Sequence, residues 1–158
     1  MHEIPIRSFA VSVVVLRATA GGCEVLLLRR TGTLAGTWCQ VAGAIEANET
    51  AWQAGLREVE EETGLALDRF YSADICEQFY EADRNAISLL PVFVGFAPED
   101  AAVRLNDEHS DFRWVSFDAA IRMVPFAGQR KVLKHIREEF VDNEPNQWLL
   151  IRQASPAE

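Results

Sequence analysis

The chain has no long apolar run, no block of basic residues and few cysteines, and each shortage removes a class of protein. The longest hydrophobic stretches lie near residues 9–16 and 87–96. Both are too short for a membrane-spanning helix, which needs about 20 apolar residues. Lys and Arg number 15 against 24 Asp and Glu, giving a net charge of -9. Binding a nucleic acid backbone requires clustered cations, so no nucleic acid polymer is expected as a partner, and no membrane. A small phosphorylated ligand stays open, because a bound metal ion inverts the local field. The three cysteines, Cys23, Cys39 and Cys76, show no paired metal-ligand spacing. Their odd number, with no recognisable signal peptide, fits a reducing cytoplasm. A length of 158 residues with 49% apolar content predicts one domain over residues 1–158 with a sizeable core.

What is present reads as strands first and helices later. Residues 9–16 are rich in valine and predict a buried strand. Gly21 and Gly22 mark a turn, and residues 24–30 predict the returning antiparallel strand. Residues 31–37 read as a loop and 40–42 as a short strand. Two strands are expected at 66–71 and 75–80, and a longer one at 86–96. Pro91 inside that last strand predicts an edge or a bulge. Residues 98–111 read as a loop and 112–115 as a short strand. Helices are expected near 117–123 and 126–139, the second with Val132, Leu133, Ile136 and Phe140 at helical spacing. Residues 148–151 predict a docked edge strand. No internal repeat or linker is visible.

The chemistry concentrates between Gly43 and Leu65. Its centre is Arg57-Glu58-Val59-Glu60-Glu61-Glu62. On a helix at about 100° per residue, Glu61 and Glu62 fall about 60° and 40° either side of Glu58. The three carboxylates therefore share one face, beside a mostly apolar face of Trp52, Leu56, Val59 and Thr63, while Glu60 points elsewhere. Like charges at this spacing repel, so the face calls for a cation. Hard oxygen ligands suit Mg²⁺, with Mn²⁺ as a substitute. The helix is expected from Glu49 or Thr50 to Thr63, with Asn48 or Glu49 capping its start and Gly64 its left-handed stop.

The spacing around these acids is specific. Gly43, five residues, Glu49, seven residues, Arg57-Glu58-Val59, one residue, Glu61-Glu62, one residue, Gly64-Leu65 resembles the complete signature of the Nudix hydrolases. Where many members carry Gly-Gly at the entrance, this chain has Ala42-Gly43. The resemblance implies an α+β fold, a mixed β-sheet sandwiched between α-helices. It also implies a Mg²⁺-dependent pyrophosphohydrolase acting on nucleoside-diphosphate-linked compounds. Glu61 and Glu62 would ligate the metal, and the Gly43 carbonyl would complete the site. Glu58 would be the general base or a ligand through water. Arg57 would orient the acids, paired with Glu49.

Outside the signature, Glu108 precedes an Arg113-Trp114-Val115 strand and resembles a late metal ligand of several family branches. His109 beside it reads as a bystander. Of Arg29 and Arg30, one must point inward, where it could hold phosphate. Trp38, Phe79 and Tyr80 are candidate stacking residues for a base. Together these residues resemble the branch that cleaves nucleoside triphosphates or dihydroneopterin triphosphate, a small-molecule nucleotide or pterin partner, to monophosphate and pyrophosphate. The alternatives are a dinucleoside polyphosphate hydrolase, supported by the position of Tyr80, and a non-catalytic sensor module, which would have lost box acids. A monomer and a homodimer both remain open.

Overall fold

A ten-residue strand with valines and a leucine on both faces is the one on which the fold is laid. The computed structural model describes residues 1–155. In it Ala10–Thr19 forms β2, with Val11, Val13 and Val15 on one face and Val14 and Leu16 on the other. All five are essentially unexposed. A strand covered on both faces carries a continuous apolar run, as the sequence has here. After Gly22, at φ 138°, β3 (Gly22–Arg30) returns antiparallel to β2.

The remaining strands are β1 (Ile6–Arg7), β4 (Trp38–Cys39), β5 (Val41–Ala44), β6 (Arg69–Glu81), β7 (Ala86–Phe96), β8 (His109–Val115) and β9 (Leu150–Gln153). The order is β4-β3-β2-β7-β6-β9, with β1 on β7, β5 on β2 and β8 on β3. β7 runs parallel to β1 and β2, and the other pairs are antiparallel. Helix α1 (Ala51–Thr63) covers one face, where Val11, Leu28, Phe70 and Phe93 meet Ala54 and Val59. Helices α2 (Phe117–Met123) and α3 (Ala127–Ile136) cover the other, where Val14, Leu27, Tyr71 and Val92 meet Ala120, Val132 and Ile136. The expected mixed sheet between helices is what forms.

Several local expectations need correction. The two strands expected at 66–71 and 75–80 are one strand, β6, broken by a register shift between Ser72 and Cys76 with Asp74 at φ 57°. That bulge sets Ala73, Asp74 and Ile75 against Val92 alone, and a mismatch of this kind bends a strand without ending it. Pro91 lies on no edge. β7 is internal, and Pro91 pairs with Cys76, the first residue past the bulge. On its other side it falls between the stretch paired with β1 and the stretch paired with β2, so its missing N–H breaks no ladder. β8 begins at His109, because Arg29 and Arg30 of β3 pair with Asp111 and His109. The second long helix ends at Ile136 and continues as a wider π turn over Arg137–Asp142, which still delivers Phe140 to the core. At the tail, a single 3₁₀ turn at Gln147–Leu149 precedes β9 on the sheet edge, and Trp148 is left in solvent.

The core on the α3 side depends on Ile136, which has no exposed surface. Ile136→Ala should cost about 3 kcal/mol, the usual range for truncating a buried aliphatic. Denaturant unfolding would read it, and a loss below about 1 kcal/mol would show that the helix repacks.

Candidate functional site

Two glycines let α1 sit close enough to the sheet to aim its acids. A Cβ on Gly55 would come within 3.1 Å of Phe70 Cζ and 3.2 Å of Val13 Cγ2. Mid-helix glycine costs roughly 1 kcal/mol against alanine, and here the close approach to the sheet explains it. A Cβ on Gly43 would collide with the Glu58 carboxyl group. β5 and the acidic face therefore meet across a gap that only glycine allows. Thr50 is the N-cap, accepting from the Gln53 N–H at 3.3 Å while the Gln53 side chain accepts from Thr50 N–H at 2.8 Å. Neither Asn48 nor Glu49 caps the helix. Asn48 makes the left-handed turn at φ 67°, and the Glu49 carboxylate is already engaged by the Glu46 N–H and by Arg57. Gly64 supplies the left-handed stop at φ 70°.

Arg57 ties the box together. Its Nη2 donates to Glu49 Oε1 at 2.7 Å and to the Ala44 carbonyl at 2.8 Å. Its Nη1 donates to Glu58 Oε1 at 2.8 Å and Glu61 Oε2 at 3.1 Å. These carboxylates hold the guanidinium firmly protonated, and the guanidinium, with the Glu46 N–H, pulls the Glu49 carboxyl below its usual range. With Arg57 spread between Glu58 and Glu61, no three acid, histidine or cysteine side chains among the described residues converge on one point.

Glu62 is the anomaly. Its side chain is 3% exposed, and Oε2 is buried with no hydrogen-bond partner among the described residues. Burial first, then the negative charges of Glu58 and Glu108, push its carboxyl up to about 8. Burial likewise raises Glu58, against the pull of Arg57. A buried carboxylate oxygen without a partner is costly. Its orphaned oxygen, the two neighbouring acids and the all-oxygen donor set fit a hard divalent cation.

Beside Glu62 opens a cavity of about 400 Å³ lined by Arg30, Cys39, Gln40, Ala42, Glu108 and His109 among others. Of the arginine pair, Arg30 lines it, with its Nε donating to the Thr33 carbonyl at 2.7 Å, while Arg29 is exposed and absent from the lining. Glu108 is fixed by the Asn106 amide at 2.9 Å. Trp38 packs half-buried against the α3-side core under the Arg113 guanidinium. Tyr80 is exposed and donates to Asn85 Oδ1 at 2.9 Å. Neither aromatic lines the cavity. Arg57, Glu58, Glu61 and Gly43 thus form one cluster, Glu62, Glu108 and Arg30 line the neighbouring cavity, and Arg29, Trp38 and Tyr80 belong to neither.

Sequence reasoning passed over Cys39 and Gln40 as lining residues. Cys39 Sγ lies 4.0 Å from His109 Nε2. Burial raises the thiol to about 11 and lowers the His109 imidazole, so both stay neutral near pH 7. The available signal was the polar Gln40 between the apolar Trp38-Cys39 and Val41-Ala42, which marks a buried amide needing partners.

With this geometry in hand, the comparisons carry weight. A NUDIX domain family profile matches residues 7–138. The chain belongs to the Nudix family. An octanoyltransferase of Myxococcus xanthus is 38% identical over 136 residues, 82% of this chain, and the match spans only about a third of that protein, 36%. The asymmetrical bis(5'-nucleosyl)-tetraphosphatase of Caenorhabditis elegans is 28% identical over 128 residues, covering 79% of this chain and 91% of that protein. Among solved structures, the MutT protein of Methanosarcina mazei Go1 is similar at TM-score 0.69 and 28% identity, covering 89% of this chain and 99% of that one.

The buried Glu62 makes the metal-free protein sensitive to pH. Its folded carboxyl ionises near 8, against 4.5 for the ordinary group. The folded state therefore holds the proton that the unfolded state has lost between those values, and stability falls as pH rises through that window. Raised Glu58 and Glu77 act in the same direction, and lowered His109 opposes them below about 6.5. The thermal midpoint of the metal-free chain should drop from pH 5 to pH 8, and the drop should shrink in Glu62→Gln. Parallel curves for the two proteins would exclude Glu62 as the source.

Proposed function

We propose that the chain is a Mg²⁺-dependent Nudix pyrophosphohydrolase that cleaves a nucleoside triphosphate-like substrate to a monophosphate and pyrophosphate. Residues 1–158 would act as one cytoplasmic domain, with Mn²⁺ able to replace Mg²⁺. The observation that carries this reading is the orphaned Glu62 oxygen facing Glu58 and Glu108 beside a cavity that Arg30 also lines. Glu61, Glu62 and the Gly43 carbonyl would hold the ion, with Glu58 and Glu108 completing its surroundings. Bound there, Mg²⁺ neutralises charge on the phosphoryl oxygens and makes the phosphorus more electrophilic.

The chain's own groups do the rest. Glu58 takes the proton from the attacking water, a role suited to a carboxyl raised above its usual range. Arg57 keeps Glu58 and Glu61 from swinging away, through the 2.8 and 3.1 Å bonds from one nitrogen. Arg30 offers a cation to the phosphate chain from the cavity wall.

A second reading, hydrolysis of dinucleoside polyphosphates, is favoured by one finding: the tetraphosphatase relative matches along 91% of its length. A sensor module without turnover is disfavoured because Glu58, Glu61 and Glu62 are all retained.

Glu61→Gln and Glu62→Gln should each lower kcat by at least about 100-fold with the circular dichroism unchanged, since a lost ligand removes several kcal/mol of charge stabilisation. Glu108→Gln should cost less, because its loop position lets substrate phosphates complete the site. Unchanged turnover in either box variant at saturating Mg²⁺ would refute the ligand set. Substrate is read by parallel rates on dATP, dihydroneopterin triphosphate, diadenosine tetraphosphate and ADP-ribose. A triphosphate should exceed ADP-ribose by at least about tenfold in kcat/KM, a difference of about 1.4 kcal/mol. Fastest cleavage of diadenosine tetraphosphate would establish the second reading.

A further inference from the structure

The cavity beside Glu62 is lined by two opposite charges that do not meet. Arg30 ends β3, Glu108 sits on the turn that enters β8, and both line the cavity. Among the described residues they form no ion pair. The β3–β8 ladder sets Arg29 against Asp111 and Arg30 against His109, which leaves Ser110 as an extra residue in β8. β3 stops there, yet the next residue carries the contact on. Thr31 donates its backbone N–H to the Glu108 carbonyl at 3.1 Å and its hydroxyl to the Asp107 carbonyl at 3.0 Å. One threonine therefore grips two successive carbonyls, the second on Glu108 itself.

The rest of the turn is tied to the acid helix. Asn106 Oδ1 accepts from the Glu108 N–H at 3.2 Å, and Asn106 Nδ2 donates to Glu108 Oε2 at 2.9 Å. Two residues upstream, the Arg104 N–H donates at 2.8 Å to the carbonyl of Thr63, the last residue of α1. Val103 and Leu105, on either side of Arg104, pack against the core beneath α1. Residues 104–108 thus run from the end of the acid helix to the loop after β3. The first end is held by apolar packing. At the other end Thr31 and Glu108 are both exposed, so the hydrogen bonds are the fastening. A carboxylate on an exposed turn without packing keeps one position only as far as such bonds hold it, and pre-positioning lowers the ordering cost of binding.

We propose that Thr31 is a positioning residue for Glu108, its hydroxyl fixing the turn so that the Glu108 carboxylate stays available to a cation bound beside Glu62. This rests on the reading of Glu108 as part of the ion's surroundings. Arg30 gives the grip a reason. Its Nε is committed to the Thr33 carbonyl at 2.7 Å, which keeps the guanidinium apart from Glu108. Opposite charges near a protein surface still attract. A loosened turn would let Glu108 swing to Arg30, and the cation site and the phosphate contact would neutralise each other.

Mn²⁺ titration of the nucleotide-free chain, read by electron paramagnetic resonance, tests this without turnover. Thr31→Val keeps the side-chain shape and the backbone N–H and removes the hydroxyl bond alone. It should weaken Mn²⁺ binding about three- to tenfold, the range that one hydrogen bond carries, and Thr31→Ser should restore it. Glu108→Gln should weaken binding by a similar factor. Adding Thr31→Val to Glu108→Gln should change nothing more, because Thr31 acts through Glu108. Unchanged Mn²⁺ affinity in Thr31→Val overturns the proposal, even if that protein melts earlier, since Thr31 would then only fasten the loop. Full additivity of the two substitutions overturns it, as does a Thr31→Ser protein as weak as Thr31→Val. No saturable Mn²⁺ binding by the unaltered chain overturns it together with the metal reading. Turnover of dATP with Mg²⁺ separates the two claims. Turnover with additive substitutions supports the hydrolase and removes the role of Thr31. No turnover of any triphosphate, with the substitutions non-additive, supports Thr31 and removes the hydrolase.

Discussion

A buried carboxyl group with one oxygen left unpartnered, that of Glu62, is the constraint around which the rest of the molecule is arranged. Burying a charge is expensive unless something of opposite sign reaches it. Here the neighbours make matters worse, since Glu58 and Glu108 are both negative. The metal-free protein tolerates this because Glu62 keeps its proton up to about pH 8, while Arg57 pairs with Glu49, Glu58 and Glu61 and does not reach Glu62 at the cavity wall. The remaining attraction is aimed at a ligand cation, in keeping with the tendency of perturbed ionisation to gather at functional sites.

The sheet makes that arrangement rigid. β2 is buried on both faces, carries β5 and Gly43 on one side of its length, and pairs with β7 on the other. Gly55 lets α1 press onto Val13 and Phe70, so the acids are fixed by packing as well as by hydrogen bonds. On the opposite face, Ser12 of the same strand accepts from the Gln40 amide, which also donates to Glu77. One strand thus places the acids of α1 and this polar chain on its two sides.

The legible parts were those written in local spacing. The three acids of α1, its stop at Gly64 and the Gly43-to-Leu65 interval are all readable from 3.6-residue periodicity and from fixed separations. The buried faces of β2 and β3 follow from runs of Val and Leu. The start of α1 was ambiguous because Asn48, Glu49 and Thr50 are all helix-start types in succession. The contact of Glu49 with Arg57, eight residues on, is what leaves the cap to Thr50. Of the two readings of Pro91, the bulge is present in the paired strand and the edge is not, because a proline's acceptability depends on what its neighbours pair with, which is non-local. The Gln40–Gln129 bond joins residues 89 apart, and no local pattern announces it. Trp38 looked like a stacking residue by its position near Arg29 and Arg30, but strand alternation turns it to the α3-side core.

The central claim is that Glu62 is kept unpaired for a divalent cation. Electron paramagnetic resonance titration of the nucleotide-free chain with Mn²⁺ at pH 8, against Glu62→Gln, tests it most directly. The account predicts saturable binding to the unaltered protein and at least about tenfold weaker binding to the variant, a loss of about 1.4 kcal/mol or more. Equal Mn²⁺ affinity in the two proteins would contradict it.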